Sequence, residues 1–202
     1  MKLFLILLIA FLFALSATAQ KHKFDRFSIA VMNVQTALPF GKFSGLLYKD
    51  LHPGFEAGIG FNWKTKPKHD WYQEFKVGYF FHRFVQHGIP VYTNFGYRYK
   101  ASSKLSFQTS LGAGYMQSIP ATSKFKLDQN GDYKNDIGIG RSQAMAIFSL
   151  GTSYTFNSSS AKPIRLFASY QQRLQMPFVK SYVPFLPYNS FMIGFIKPIK
   201  KK

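Results

Sequence analysis

The sequence predicts an all-β protein: an eight-stranded antiparallel transmembrane β-barrel over residues 20–202, preceded by a cleaved signal peptide over residues 1–19. Three observations predict it, namely an apolar run at the N-terminus, period-two alternation in eight later segments, and connections that alternate between long and short. Composition agrees. With 47% hydrophobic and 18% aromatic residues in 202, the chain is not of the disordered type, and the absence of cysteine excludes disulfides, thiolate metal sites and a lipidated cysteine anchor.

The N-terminal segment carries Lys2, an unbroken apolar run from Leu3 to Leu15 and an A-x-A site at Ala17-Thr18-Ala19. These are the basic, apolar and cleavage regions of an export signal. A spanning anchor needs about 18 or more apolar residues, which this run does not reach. No later stretch is long enough for a spanning helix, so membrane residence would have to use strands.

The first strand, at about 26–38, is the least regular, because Asn33 and Gln35 interrupt its apolar face. In the second, 55–64, Phe55, Ala57, Ile59, Phe61 and Trp63 share one face, against Glu56, Gly58, Gly60, Asn62 and Lys64. The third is expected at about 70–84. The fourth, 91–100, sets Val91, Thr93, Phe95, Tyr97 and Tyr99 against Tyr92, Asn94, Gly96, Arg98 and Lys100. The fifth, 105–116, repeats the design, with Leu105, Phe107, Leu111 and Tyr115 opposite Ser106, Gln108, Gly112 and Gly114. The last three are expected at about 141–156, 163–176 and 189–199.

The connections then run 39–53, 65–69, 85–88, 101–103, 118–140, 157–162 and 177–188. The even-numbered ones are short and three of the four odd-numbered ones are long. The exception, 85–88, joins strands that could extend beyond a bilayer. A membrane barrel with both termini in the periplasm alternates in this way. A soluble lipocalin-like barrel is the alternative, with the two faces inverted. Against inversion stand the aromatic crowding of the oily face and the many glycines opposite it, which suit a narrow filled lumen rather than an exterior. Trp63, Trp71, Tyr97, Tyr99, Tyr154 and Phe156 gather near the short-turn ends, where an interfacial girdle would sit.

The leader, the eight alternating segments and stretches such as Trp71-Tyr72-Gln73-Glu74-Phe75-Lys76-Val77-Gly78-Tyr79-Phe80-Phe81-His82-Arg83 resemble the small outer-membrane β-barrel proteins of Gram-negative bacteria, especially those of Bacteroidota. The resemblance is architectural and covers nearly all of the chain after the leader. It implies an integral outer-membrane location, lipopolysaccharide and phospholipid as neighbours, and handling by the barrel-insertion machinery. One departure is that the last aromatic, Phe195, is followed by Ile196-Lys197-Pro198-Ile199-Lys200-Lys201-Lys202, where such barrels often end in an aromatic residue.

The polar face nominates Glu56, Glu74, Lys76, His82, Asn94, Arg98, Lys100, Gln108, Arg165, Gln171 and Arg173 as lumen residues. Their plain reading is a paired ion network filling a closed barrel, and the sharper one an anion-binding vestibule. An open pore is not expected, since aqueous channels use wider barrels, of about 16 or more strands. The function expected is a structural or ligand-binding role in the envelope. The alternative is a surface hydrolase resembling lipid A deacylase barrels, for which His82, His87 and Glu74 are the candidate catalytic residues. The residues two beyond each histidine, Phe84 and Ile89, stand where that family's motif has serine.

Asp128-Gln129-Asn130-Gly131-Asp132-Tyr133-Lys134-Asn135-Asp136 begins like a calcium loop, but its glycine is two positions early and Ile139 stands where a bidentate Glu belongs. A polar turn at a loop tip is expected, with no metal and no cofactor. Asn157-Ser158-Ser159 matches a glycosylation acceptor on the side such machinery does not reach. The formal charge is +18, from 26 basic and 8 acidic residues. Nucleic acid is not the expected partner, because export removes the chain from it and the aromatics lie on the oily face. Instead Lys64, Lys66, Lys68, Lys200, Lys201 and Lys202 are expected in a basic periplasmic rim facing anionic lipid, which could also meet peptidoglycan. The bland alternative is that these lysines snorkel from strand ends and discourage aggregation.

Overall fold

A computed structural model describes residues 23–38, 51–123, 125–135, 138–156, 163–178 and 184–199. The expected leader, Asn157-Ser158-Ser159, Asp136 and Lys200, Lys201 and Lys202 lie outside the described residues.

Eight strands close into an antiparallel barrel: β1 (Arg26–Thr36), β2 (Pro53–Thr65), β3 (His69–His82), β4 (Gln86–Lys100), β5 (Leu105–Pro120), β8 (Arg141–Thr155), β9 (Arg165–Met176) and β10 (Leu186–Pro198). Each pairs with its neighbours in chain order, and β1 pairs with β10, from Arg26↔Pro198 to Thr36↔Tyr188, to complete the circle. Closure leaves no unpaired sheet edge. One end carries the first described residues, the ends of β1 and β10 and the short turns 66–68 and 101–104; it is called the terminal end here. The β8–β9 connection also lies at the terminal end, and the opposite, loop end carries the β1–β2, β3–β4, β5–β8 and β9–β10 connections.

Three differences from the expected strands have local causes. Within β2 the pairing with β3 shifts between Asn62 and Lys64, a bulge that leaves both Trp63 and Lys64 exposed and breaks the expected alternation. β4 and β5 run further toward the loop end than expected, pairing from Gln86↔Pro120 onward. Pro90 reads as a strand breaker because it lacks an N–H, yet the β3–β4 register is the same on both sides of it, Val77↔Val91 and Phe80↔Gly88. The connection between these strands is accordingly a tight turn over Arg83, Phe84 and Val85. In the long 118–140 connection, a small hairpin of β6 (Phe125–Leu127) and β7 (Tyr133–Asn135) flanks the expected polar turn.

Phe27, Ile29, Val31, Phe55, Ile59, Phe75, Val77, Val91, Phe95, Leu111, Leu150, Ile193 and Phe195 are exposed on the outer wall. Among the described residues, buried polar side chains outnumber buried apolar ones. Polarity is therefore inverted relative to a soluble barrel, with the faces as the alternation predicts. Glycines make the filled lumen sterically feasible. A Cβ at Gly96 would collide with the Tyr72 ring, one at Gly88 with Phe80, and one at Gly58 would sit 2.8 Å from Lys76 Cγ.

Candidate functional site in the barrel lumen

Alternation on β2, β3, β4 and β9 brings Glu56, Lys76, Tyr92, Gln171 and Arg173 to mid-height from four different strands. Glu56 accepts from Lys76 Nζ at 2.9 Å, from Tyr92 Oη at 2.5 Å and from Arg173 Nη2 at 3.3 Å. Lys76 also faces Glu74 at 3.5 Å. Gln171 accepts from Arg173 Nε at 2.5 Å and donates to Ser149 Oγ at 3.1 Å. Charges taken out of water survive when paired and hydrogen-bonded in this way. Asn94 is buried in the same layer, beside Gly112. The space left here, between Tyr72, Glu74, Asn94 and Gln171, is about 20 Å3, room for roughly one water.

Toward the loop end the lumen holds neutral groups. Gln86 Nε2 donates to Gln175 Oε1 at 2.8 Å and to Tyr188 Oη at 2.6 Å, while Gln86 Oε1 accepts from Ser118 Oγ and from Gln175 Nε2. Gln143 joins through Gln175 and donates to the Pro177 carbonyl at 2.6 Å. Phe80, Met116, Met145, Met192 and Val34 pack around these amides. The sequence reading missed this layer because its fourth strand began five residues too late to include Gln86.

At the terminal end Asp70 receives Arg98 Nη1 at 3.4 Å and Lys100 Nζ at 2.8 Å. Arg26 is held by Asp25 at 2.8 Å and by Asn62. The guanidiniums of Arg98 and Arg26 lie 4.9 and 5.4 Å from the centre of the Tyr72 ring. Arg165 lines a cavity of about 560 Å3 with Arg98 and Lys100. Of the eleven nominated lumen residues, Glu56, Glu74, Lys76, Asn94, Gln171 and Arg173 thus gather at mid-height, and Arg98, Lys100 and Arg165 lie below. Lys64, Lys66 and Lys68 are exposed at the same end.

The hydrolase constellation does not assemble. His82 points inward, stacked 3.7 Å on the His52 ring, with Thr36 Oγ1 3.5 Å away. His87 lies on the outer side of β4, with Tyr79 Oη at 2.8 Å from its Nδ1. Glu74 sits eight residues below His82 on β3, about 26 Å along an extended strand, and faces Lys76. Proximity in sequence misled here because His87 pairs with the outward-facing Phe81 while His82 faces inward, and eight residues of extended strand part Glu74 from His82.

The Asp128 segment is a turn in its own right. Asp128 accepts from the Lys134 ammonium and the Asn130 N–H, which together hold its carboxyl below the usual aspartate range. Gly131, at φ 84°, supplies the left-handed residue this turn requires.

No protein-family profile matches the chain, and no curated protein matches it. Solved structures do. Neisserial surface protein A is 10% identical with a TM-score of 0.50, over 87% of this chain and 96% of that one. The outer-membrane enzyme PagL is 12% identical with a TM-score of 0.46, over 86% and 99%. The attachment invasion locus protein Ail of Yersinia pestis, solved with the heparin analogue sucrose octasulfate, is 14% identical with a TM-score of 0.45, over 88% and 100%. At such identities the likeness extends to the fold alone, and it is carried by the neisserial protein: this chain has the closed eight-stranded barrel fold of outer-membrane proteins.

Proposed function

We propose that this chain is an integral outer-membrane barrel that does not conduct solutes and whose role is structural or ligand-binding at the envelope. The observation that carries the reading is the inverted polarity around a filled lumen, since an exposed wall of Phe, Ile, Leu and Val would aggregate in water and is satisfied by lipid. β1, at 11 residues, just meets the roughly 9 to 11 needed to cross a bilayer, while β4 and β5, at 15 and 16, exceed it and stand proud of it at the loop end. On the wall, Ala57, Thr93 and Ala113 lie low between Phe27, Ile59, Phe75 and Tyr115, leaving a groove of about 650 Å3 suited to an acyl chain. The terminal end is periplasmic in this reading. Its exposed Lys64, Lys66 and Lys68 face anionic phospholipid, joined by Lys200, Lys201 and Lys202 of the C-terminal segment. Lipopolysaccharide borders the loop end, and the barrel-insertion machinery is the assembly partner.

Three measurements test this. Detergent is needed to extract the protein from membranes, and carbonate or high salt that released a folded barrel would overturn the assignment. In planar bilayers the refolded protein passes no steady ionic current. Replacing Leu111 with arginine costs about 2 to 4 kcal/mol of stability in lipid if it lies near the midplane.

A further inference from the structure

The terminal-end cavity differs from the rest of the lumen in that its cations exceed its acceptors. It is bounded by Asp70, Arg98, Lys100, Ser106, Thr155 and Arg165, with the 66–68 and 101–103 turns at its mouth. Arg98 is 2% exposed, yet its Nε and Nη2 meet no acceptor among the described residues, and its one contact with Asp70 is long at 3.4 Å. Asp70's other oxygen, Oδ1, lies 2.8 Å from Lys100 Nζ, an ion pair without hydrogen-bond geometry. Arg165 makes no ion pair among the described residues. A structural network has no use for such an imbalance, because a buried guanidinium without acceptors costs stability. A binding site does, because donors kept from protein acceptors are available to a ligand.

We propose that this cavity binds a phosphate group, with Arg98 as its bidentate anchor. Four cations line the cavity against the one carboxylate of Asp70; with Lys68 exposed at the mouth, the inner three, Arg98, Lys100 and Arg165, leave two positive charges beside Asp70, which matches a phosphate dianion better than a carboxylate. Arg98 Nε and Nη2 form one edge of the planar fork that grips two oxygens of a tetrahedral anion. The Tyr72 ring beneath the guanidinium fixes its plane. Arg165 and Lys100 supply the remaining charge, and the hydroxyls of Ser106 and Thr155 line the same space. The volume, about 560 Å3, lies in the range of small-molecule sites and opens past the turns, leaving room for the substituent of a soluble phosphomonoester or a phospholipid headgroup. The binding chemistry is independent of membrane residence; the compartment from which the ligand comes rests on the reading above.

The test uses the full chain refolded in neutral detergent, with folding checked by its shifted gel mobility before heating. Arginine side-chain N–H resonances are followed as inorganic phosphate and then glycerol 3-phosphate are added, and the Arg98 resonance is identified by its loss in Arg98→Lys. A saturable shift of that resonance is expected, weakened about ten-fold or more in Arg165→Gln, unchanged in Lys126→Gln at the far end, and weakening as salt rises. A parallel arm compares phosphatidylcholine nanodiscs with and without phosphatidylglycerol. A response to soluble phosphate identifies the free ligand, and a response confined to the anionic nanodisc identifies the headgroup; both support the site. No saturable shift in either arm, or a shift that survives undiminished in Arg165→Gln, overturns it, and Lys100→Gln decides the matter if Arg165→Gln fails to fold. A protein that proves soluble yet titrates with phosphate would sink the membrane reading and leave this one standing.

Discussion

The two ends of one lumen are filled by opposite means. Toward the loop end, amides, hydroxyls and sulfur-rich apolar side chains close on one another, and Gln86, Gln175, Gln143, Ser118 and Tyr188 satisfy each other across four strands and the first residue pairs of β10. At the terminal end three guanidiniums and an ammonium crowd around two aspartates, and donors are left over. Neutral groups can saturate within a closed wall because each carries both donors and acceptors, whereas Arg and Lys carry donors alone. The first arrangement seals the barrel; the second leaves it open to an anion. The mid-height cluster around Glu56 separates them.

Cutting that divider has the largest expected effect. Glu56→Gln leaves Lys76 and Arg173 without their shared carboxylate and should cost about 3 to 5 kcal/mol, read as a shift in urea unfolding in vesicles followed by the fluorescence of Trp63 and Trp71. An unchanged midpoint would mean that the cluster is not held by charge. Next in size, Gln86→Leu strands Ser118 and Gln175 and should cost about 1 to 3 kcal/mol by the same assay. At the other end Arg165→Gln should change stability by less than about 1 kcal/mol, or raise it, because it relieves like-charge crowding and breaks no ion pair. A loss there as large as that of Gln86→Leu would erase the contrast between the two ends.

The smallest effect lies outside the barrel. Asp128 has its carboxyl pulled down by Lys134 and the Asn130 N–H, so the order it lends its turn is complete above the ordinary aspartate pKa of about 3.9 and is lost as pH falls through the lower folded value. The amide resonance of Asn130 should therefore titrate with a midpoint below about 3.9. A midpoint at or above it would show that the turn does not hold the carboxylate.

Alternation by itself determined a great deal: that the chain is a closed barrel of eight strands, that Phe55, Ile59, Val91, Phe95 and Leu111 face out, and that Glu56, Glu74, Lys76, Asn94, Arg98, Arg165 and Arg173 face in. The physical reason is that a strand has period two, so the facing of each residue is local information. Tertiary structure alone decided which inward residues share a level, because level depends on the stagger between strands and not on the sequence of any one. It separated Arg98 from Arg173, set Tyr92 on Glu56, turned Lys64 outward through a bulge, and parted His82 from His87 across the wall. It also joined Gln86 to Gln175, 89 positions apart, through an extension of the fourth strand into the expected 85–88 connection.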